Sequence, residues 1–246
     1  MSKIGIIGGS GLYGLENIKK IDHIGLDTPF GKPSDKYLLC ELEGKELVFL
    51  PRHGSYHQIN PSKINYRANI YGMKKLGVSK IISVSACGSL KEEYRPLDFV
   101  IPDQFVDRTT KRDCTFFDEG LVVHVAFDKP VCGKLCETLL SSSRKTEVKV
   151  HSGGTYLNIE GPQFSTLAES RLYRNWGMDI IGMTNMCEAR LAREAEICYV
   201  SLAAITDYDC WHQTSEAVDA GMVLENLKRN VQNSQKILKE FISALD

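Results

Sequence analysis

The sequence has no surplus of charge, no long apolar run and no paired cluster of metal-binding side chains, and each lack excludes a class of function. The 30 basic and 31 acidic residues leave a net charge of −1, so nothing electrostatic recruits nucleic acid or an anionic membrane. No apolar stretch approaches the length needed to span a bilayer. The N-terminus "MSKIGIIGGSG" has one Lys and a short run broken by glycine, which is not the pattern of a signal peptide. The eight cysteines are therefore expected to be reduced thiols in the cytoplasm. Cys132 and Cys136 have a ligand-like spacing but lack a second Cys/His pair at zinc-site separation, so no metal is expected. Internal repeats and low-complexity linkers are absent too.

What is present is a 43% apolar chain of 246 residues, enough to bury a large core. Strand-like runs ("KIGII", "KIISVSA", "DFVIP", "TYLNIE", "DIIGM", "ICYVSLAAI") alternate with helical patterns. This predicts one α/β domain over 1–246, a central mixed β-sheet flanked by helices. "YLLCEL" and "ELVFL" flank "EGK" as a hairpin. A helix is expected over 60–77, with Asn60 as N-cap, Pro61 in the first turn and Gly77 as stop. A second is expected after Thr166, which forms a capping box with Glu169. The C-terminal helix carries Leu224, Leu227, Val231, Leu238 and Phe241 at helical spacing.

Sites in such sheets gather at strand ends, and several polar residues fall there. Gly9, Gly11 and Gly14 follow the first strand as G-x-G-x-x-G, but "LENIKKIDHIGLDTPFGKPSD" offers no convincing helix and strand to complete a dinucleotide unit. A cradle for an oxyanion, made by backbone N–H groups and the Ser10 hydroxyl, is the reading preferred over NAD binding or a bare turn. Arg52 and His53 follow another strand, where a guanidinium can grip phosphate by two parallel hydrogen bonds. His53 and His57 share a zinc-like spacing without the helix that motif needs. Ser85 and Ala86 in "SVSACGSL", and Met183 and Thr184 in "IIGMTN", close two more strands. Each could equally be core or turn. Asp207 and Asp209 leave the last strand two residues apart, so alternation points both carboxyls one way. Acids repel phosphate, so they suit a nitrogen-rich base, although an Asp at a strand end also caps turns.

Taken in order, "IGIIGGSGLYG", "DTPFGKPSD", "RHG", "NYRANI", "ACGSL", "DQFVDRTT", "IEGPQFS", "GMT", "EICYVSLAAITDYDCW" and "EAV" span nearly the whole chain. Their set resembles the S-methyl-5'-thioadenosine phosphorylases of the trimeric purine nucleoside phosphorylase superfamily. The resemblance implies a pentosyltransferase that needs no cofactor and uses inorganic phosphate as co-substrate. Its reaction converts methylthioadenosine to adenine and 5-methylthioribose 1-phosphate, with a broader adenosine or purine nucleoside phosphorylase as the alternative. It implies phosphate ligands at Ser10, Arg52, His53, Ser85, Ala86 and Thr184, Met183 against the ribose and Phe164 packed on the base. Asp207 falls at purine N7 as general acid and Asp209 at the 6-amino group. His57 and His124 lie near the 5' end, His124 from a neighbouring subunit, and Val223 and Leu224 line the methylthio pocket. Such enzymes are homotrimers or multiples of them. Cys187 and Gln163 depart from the usual Pro and Arg, and relatives with a C-terminal extension close the 5' pocket more fully.

Overall fold

In the computed structural model, which describes residues 3–14, 18–212 and 220–245, the apolar runs become strands of one mixed sheet. These are β1 (Lys3–Gly8), β2 (Lys19–Ile24), β3 (Tyr37–Leu42), β4 (Lys45–Pro51), β5 (Val78–Ser89) and β6 (Phe99–Ile101). They continue with β7 (Gln104–Asp107), β8 (Val150–Ser152), β9 (Thr155–Asn158), β10 (Ile180–Gly182) and β11 (Cys198–Tyr208). The helices are α1 (Tyr66–Lys75), α2 (Gly133–Ser143), α3 (Leu167–Asn175), α4 (Asn185–Glu194) and α5 (Ala220–Ala244). Alternation along the strands supplies both faces. Ile6, Leu47, Phe49, Ile82, Val200 and Leu202 pack with Leu135 and Leu139 of α2 and Ile237, Leu238 and Phe241 of α5. Ile7, Val48, Leu50, Ile81 and Tyr199 pack with Ile70 and Met73 of α1 and Ala189 and Leu191 of α4. A sheet covered on both faces reads as near-continuous apolar runs, and each fully buried large side chain contributes about 1.5–3 kcal/mol. Among the described residues, no helix is long and apolar enough to cross a membrane.

The sheet is interrupted where it matters. β11 runs parallel along one edge of β5 from Lys80 to Ser89. On the other edge β1 pairs parallel only as far as Ile7↔Ser83, and β10 joins antiparallel at Gly88 and Ser89. Val84–Cys87 thus face a break between two strands, at the C-terminal ends of β1 and β4, and a crevice outside strand ends is where α/β sheets place ligands.

Local expectations hold in part. The Thr166–Glu169 capping box is present, with Glu169 N–H donating to Thr166 Oγ1 at 3.2 Å and Thr166 N–H to Glu169 Oε2 at 2.8 Å. The β3–β4 hairpin turns through Glu43 and Gly44, both at positive φ, as a two-residue turn requires. The helix expected over 60–77 is instead two pieces. Asn60 caps a 3-10 turn at Pro61–Lys63, Ile64 is extended, and Asn65 caps α1 by accepting from Ala68 N–H at 3.0 Å. Two Asn side chains compete for backbone donors five residues apart, and each starts its own turn. Gly77, at φ 85°, ends the segment as expected.

Three further expectations are corrected. A strand does follow the glycine loop: β2 pairs antiparallel with β3 at the sheet edge, and its residues are nearly all exposed, so it has no apolar signature. On α5 Leu227 is 38% exposed, and the buried stripe is Asn230, Ser234, Ile237, Leu238, Phe241 and Ile242, continued by Leu245 just past the helix. Lastly, not all thiols are free: Cys132, the N-cap of α2, is disulfide-bonded to Cys198, the first residue of β11, with Cα atoms 5.4 Å apart. The neighbouring bond from Cys132 N–H to Tyr199 O (2.8 Å) brings the two segments together, a pairing across 66 residues that spacing does not reveal.

Candidate active site

The first wall of the crevice is made by the exits of β1 and β4. Arg52 N–H donates to Gly8 O at 3.1 Å, so the two exits are joined by their own backbones. A Cβ at Gly8 would overlap Leu12, which is why the strand must turn through a residue without one. Ser10 opens the 3-10 turn Ser10–Gly14 that follows. Its side chain lies outside the described residues.

Arg52 does not offer a free fork. Its guanidinium is buried, with Nε donating to Glu188 Oε1 at 2.7 Å, Nη1 to Val84 O at 2.7 Å and Nη2 to Ser83 Oγ at 2.6 Å. Longer contacts run from Nη2 to Glu188 Oε2 and Ile7 O, both 3.3 Å. The two-point phosphate grip expected of it is therefore taken by Glu188, leaving at most one Nη1 N–H for an anion. Arg52 instead pins the loose carbonyl of Val84 inside the break. Around it, Asn185 Nδ2 donates to Ser201 Oγ at 2.6 Å and Tyr199 OH at 3.1 Å, and Ser83 Oγ donates to Glu188 Oε2 at 2.6 Å. This buried network lies directly under the start of α4. Sequence reasoning missed Glu188, Asn185, Ser83, Tyr199 and Ser201. The available signal was Glu188 in "MCEARLA", flanked by Met186, Cys187 and Ala189, since a charge among apolar neighbours is rarely buried without a partner.

His53 Nδ1–H donates to Ile59 O at 2.8 Å, which leaves Nε2 as an acceptor. Burial, helped by the adjacent Arg52 and His57, lowers its pKa to about 4, so the ring is neutral at pH 7. The ring of His57 lies 4.4 Å from it, on a residue exposed to solvent at φ 54°. Ser85 is 7% exposed while Ala86 is exposed, in the interval that has no strand on the crevice edge. Thr184 is the N-cap residue of α4 and is buried, and its hydroxyl contacts Asn185 Oδ1 at 3.3 Å rather than capping the helix.

The opposite wall carries the acids. A bulge between Ile205 and Asp207 shifts the register so that Asp207 pairs with Gly88. The displaced Thr206 donates its hydroxyl to Asp207 Oδ1 at 2.5 Å and Cys87 O at 3.2 Å. A Cβ at Gly88 would lie 3.5 Å from Asp207 Oδ2 and 3.6 Å from Asp209 Cβ, so both acids sit against the same residue. Burial, then the charge of Asp209, raise the pKa of Asp207 against the opposing Thr206 bond. Burial likewise raises that of Asp209, against Ser170 and Ser165. Asp209 Oδ2 and the hydroxyls of Ser165 and Ser170 are buried together, and the two serines are the nearest donors to that oxygen.

Arg52, Ser85, Thr184 and the two acids are thus gathered around one break in the sheet. Met183 borders it, with its sulfur where a Cβ on Gly161 would overlap. Phe164 stands in the loop after the cis Gly161–Pro162 bond and is 69% exposed, and Ser165 O beside it accepts from Cys210 Sγ at 3.4 Å. His124 is not brought in by this chain. It is exposed among Leu121, Val122, Val123 and Val125, which are 36% to 75% exposed. Val223 and Leu224 belong to α5, but their side chains lie outside the described residues, as does the "EAV" motif. Cys187 is fully buried inside α4.

A crevice of this kind, with a buried Arg–Glu pair on one wall and an acid pair on the other of a mixed sheet, belongs to a known class. The family model described as "Phosphorylase superfamily" matches residues 3–243, and the chain belongs to that superfamily. It is 53% identical over 244 residues to the S-methyl-5'-thioadenosine phosphorylase of Koribacter versatilis (strain Ellin345), covering 99% of this chain and 84% of the relative. A methylthioadenosine phosphorylase from an antarctic soil metagenomic library superposes with a TM-score of 0.94 at 48% identity, over 98% of this chain and 85% of that one. The methylthioadenosine phosphorylase from Schistosoma mansoni in complex with adenine does so at 0.94 and 38%, over 100% and 93%. Within the superfamily, the chain falls in the S-methyl-5'-thioadenosine phosphorylase family.

Proposed function

We propose that this protein cleaves S-methyl-5'-thioadenosine with inorganic phosphate, giving adenine and 5-methylthioribose 1-phosphate. Phosphate occupies the break in the sheet, among the N–H groups of the first loop, Ser10, His53, Ser85, Ala86 and Thr184, with Arg52 offering its one remaining Nη1 N–H from beneath. The nucleoside lies between Met183 and the acids, with Phe164 over the base and His57, His124, Val223 and Leu224 toward the 5' group. As the C1'–N9 bond breaks, an oxygen of phosphate bonds to C1' and negative charge moves onto the base. Asp207 gives its proton to N7 and is left as carboxylate, while Asp209 accepts from the 6-amino group. The observation that carries this reading is the acid pair: Asp207 Oδ2 and Asp209 Cβ both lie against Gly88, and burial raises the pKa of both carboxyls. A carboxyl that keeps its proton toward neutral pH is what a general acid needs.

The reaction needs no metal or cofactor, since phosphate supplies the nucleophile and Asp207 the proton. Exposed Leu121, Val122, Val123 and Val125 around His124 support assembly into a homotrimer or a multiple of it, because a single copy leaves them bare. The absence of a membrane-crossing helix among the described residues and the nucleoside substrate support a cytoplasmic location. The test is adenine or hypoxanthine release from methylthioadenosine, adenosine and inosine, each with and without phosphate. Phosphate-dependent turnover of methylthioadenosine well above adenosine, and none of inosine, is the expected result. Equal use of adenosine supports the broader nucleoside phosphorylase instead, and release without phosphate would overturn the anion site.

A further inference from the structure

Several separate chain segments converge on one guanidinium outside the groups described so far. The Arg112 side chain is 1% exposed. Its Nη1 donates to the carbonyl of Met183 and, at 3.2 Å, to the hydroxyl of Tyr66. Nη2 donates to the carbonyls of Glu160 (2.7 Å) and Ile159 (3.3 Å), and Nε to Glu160 Oε1 (3.0 Å). Glu160 is held in turn: Ser62 Oγ donates to Oε1 at 2.5 Å, and the N–H groups of Thr110 and Lys111 donate to Oε2 at 2.8 and 3.2 Å. These donors outweigh burial and bring the Glu160 pKa down to about 2.

The carbonyls that Arg112 collects are not arbitrary. One belongs to Met183, and the other two, from Ile159 and Glu160, follow β9 just before Gly161 and the loop that carries Phe164. Met183 O has a second, weaker partner in Asn158 Nδ2 at 3.4 Å. Loss of Arg112 therefore tilts this carbonyl rather than orphaning it. A planar fork of five donors can serve four carbonyl and carboxylate oxygens and a hydroxyl together, and the single ammonium of Lys cannot.

We propose that Arg112 is a positioning residue for the nucleoside half of the site. It fixes the Met183 carbonyl and the Ile159–Glu160 turn, and so sets where the Met183 thioether and the Phe164 loop meet the substrate, without touching it. This rests on the reading of Met183 and Phe164 as nucleoside contacts. Gly161 offers a second perturbation of the same parts, because a Cβ there overlaps the Met183 sulfur and, at φ 65°, strains the turn next to Glu160.

The experiment is steady-state kinetics on Arg112→Lys, Gly161→Ala and the double variant, with methylthioadenosine and phosphate varied separately and Tm measured for each. Arg112→Lys is expected to raise the KM for methylthioadenosine about tenfold and leave that for phosphate within about twofold, the scale a small misplacement produces. Its Tm falls by several degrees, because buried carbonyls lose their donors, but the ammonium keeps the Glu160 ion pair and the fold, so the split between the two KM values stays readable. Gly161→Ala gives the same split, and the double variant is no worse than the more impaired single, since both act through Met183. Unchanged KM values, an equal rise in both KM values, or effects of the two substitutions that simply add would overturn the assignment. A wild-type protein that does not consume phosphate with methylthioadenosine refutes the parent reading and this one together, whereas an active wild type with an unresponsive Arg112→Lys refutes this one alone.

Discussion

Asp207→Asn separates chemistry from folding in one substitution. Asparagine keeps the shape of the side chain, and its Oδ1 can still accept the Thr206 hydroxyl that now lies 2.5 Å away. What it loses is a transferable proton. General acid catalysis contributes roughly 10²- to 10⁴-fold, so kcat/KM for methylthioadenosine should fall by that factor, about 2.7–5.5 kcal/mol of transition-state stabilisation. Stability should move the other way. The folded-state pKa of Asp207 is raised by burial and by Asp209, so the folded protein holds this proton more tightly than the unfolded chain. The resulting penalty is absent below the unfolded pKa, grows as pH rises through the folded pKa, and is fully present above it. Removing the charge relieves it, so Tm at pH 7.5 holds or rises. The assay is initial-rate adenine release at saturating phosphate across pH 5.5–9, paired with thermal melts. Wild-type kcat/KM should decline on the alkaline side as Asp207 loses its proton, and the variant should lack that limb. A variant within about fivefold of wild type, well short of a general acid's contribution, would refute the role given to Asp207. So would one that loses activity only together with a drop in Tm.

Glu188→Gln leaves the buried Arg52 guanidinium facing a neutral amide. Breaking a buried pair costs about 3–5 kcal/mol, which calorimetry should report as a Tm fall on the order of 10 °C for a chain of this size. Gly88→Ala puts a Cβ 3.0 Å from Ile181 Cγ2 and in ordinary contact with Asp207 Oδ2, so Ile181 shifts and crowds the site, and adenine release should drop about tenfold, the scale of a small misplacement, while far-UV circular dichroism is unchanged. His53, with its pKa lowered to about 4 by burial, should show no NMR titration between pH 6 and 8. Since the unfolded ring takes its proton near pH 6.5, stability contributed by His53 is present above that value and is lost as pH falls toward 4, which urea melts at pH 7 and 5 would detect.

Much of this was legible in the residues because it is local. Buried strands announce themselves as apolar β-branched runs, the Thr166–Glu169 box and Gly77 punctuate their helices, and the ordered motifs from "IGIIGGSG" to "TDYDCW" identify the family and place the polar residues at strand ends. Asp207 and Asp209 could be read as facing one way from alternation, and they do lie over the same glycine, although a bulge resets the register on the way. The rest depended on distance along the chain. Arg52 and Glu188 are 136 residues apart, Arg112 and Met183 71 apart, and no local spacing encodes which guanidinium meets which oxygen. An Arg at a strand exit reads as a phosphate fork until the fold shows its donors already engaged. Nor could β2 be seen, because an exposed edge strand buries nothing and leaves no pattern. The sequence alone determined the strands, the caps, the family and the acid pair, since propensity and periodicity act over a few residues. Only the tertiary structure decided where the sheet breaks, which charges neutralise one another and which carboxyls are desolvated, because burial and ion pairing are properties of surroundings assembled from the whole chain.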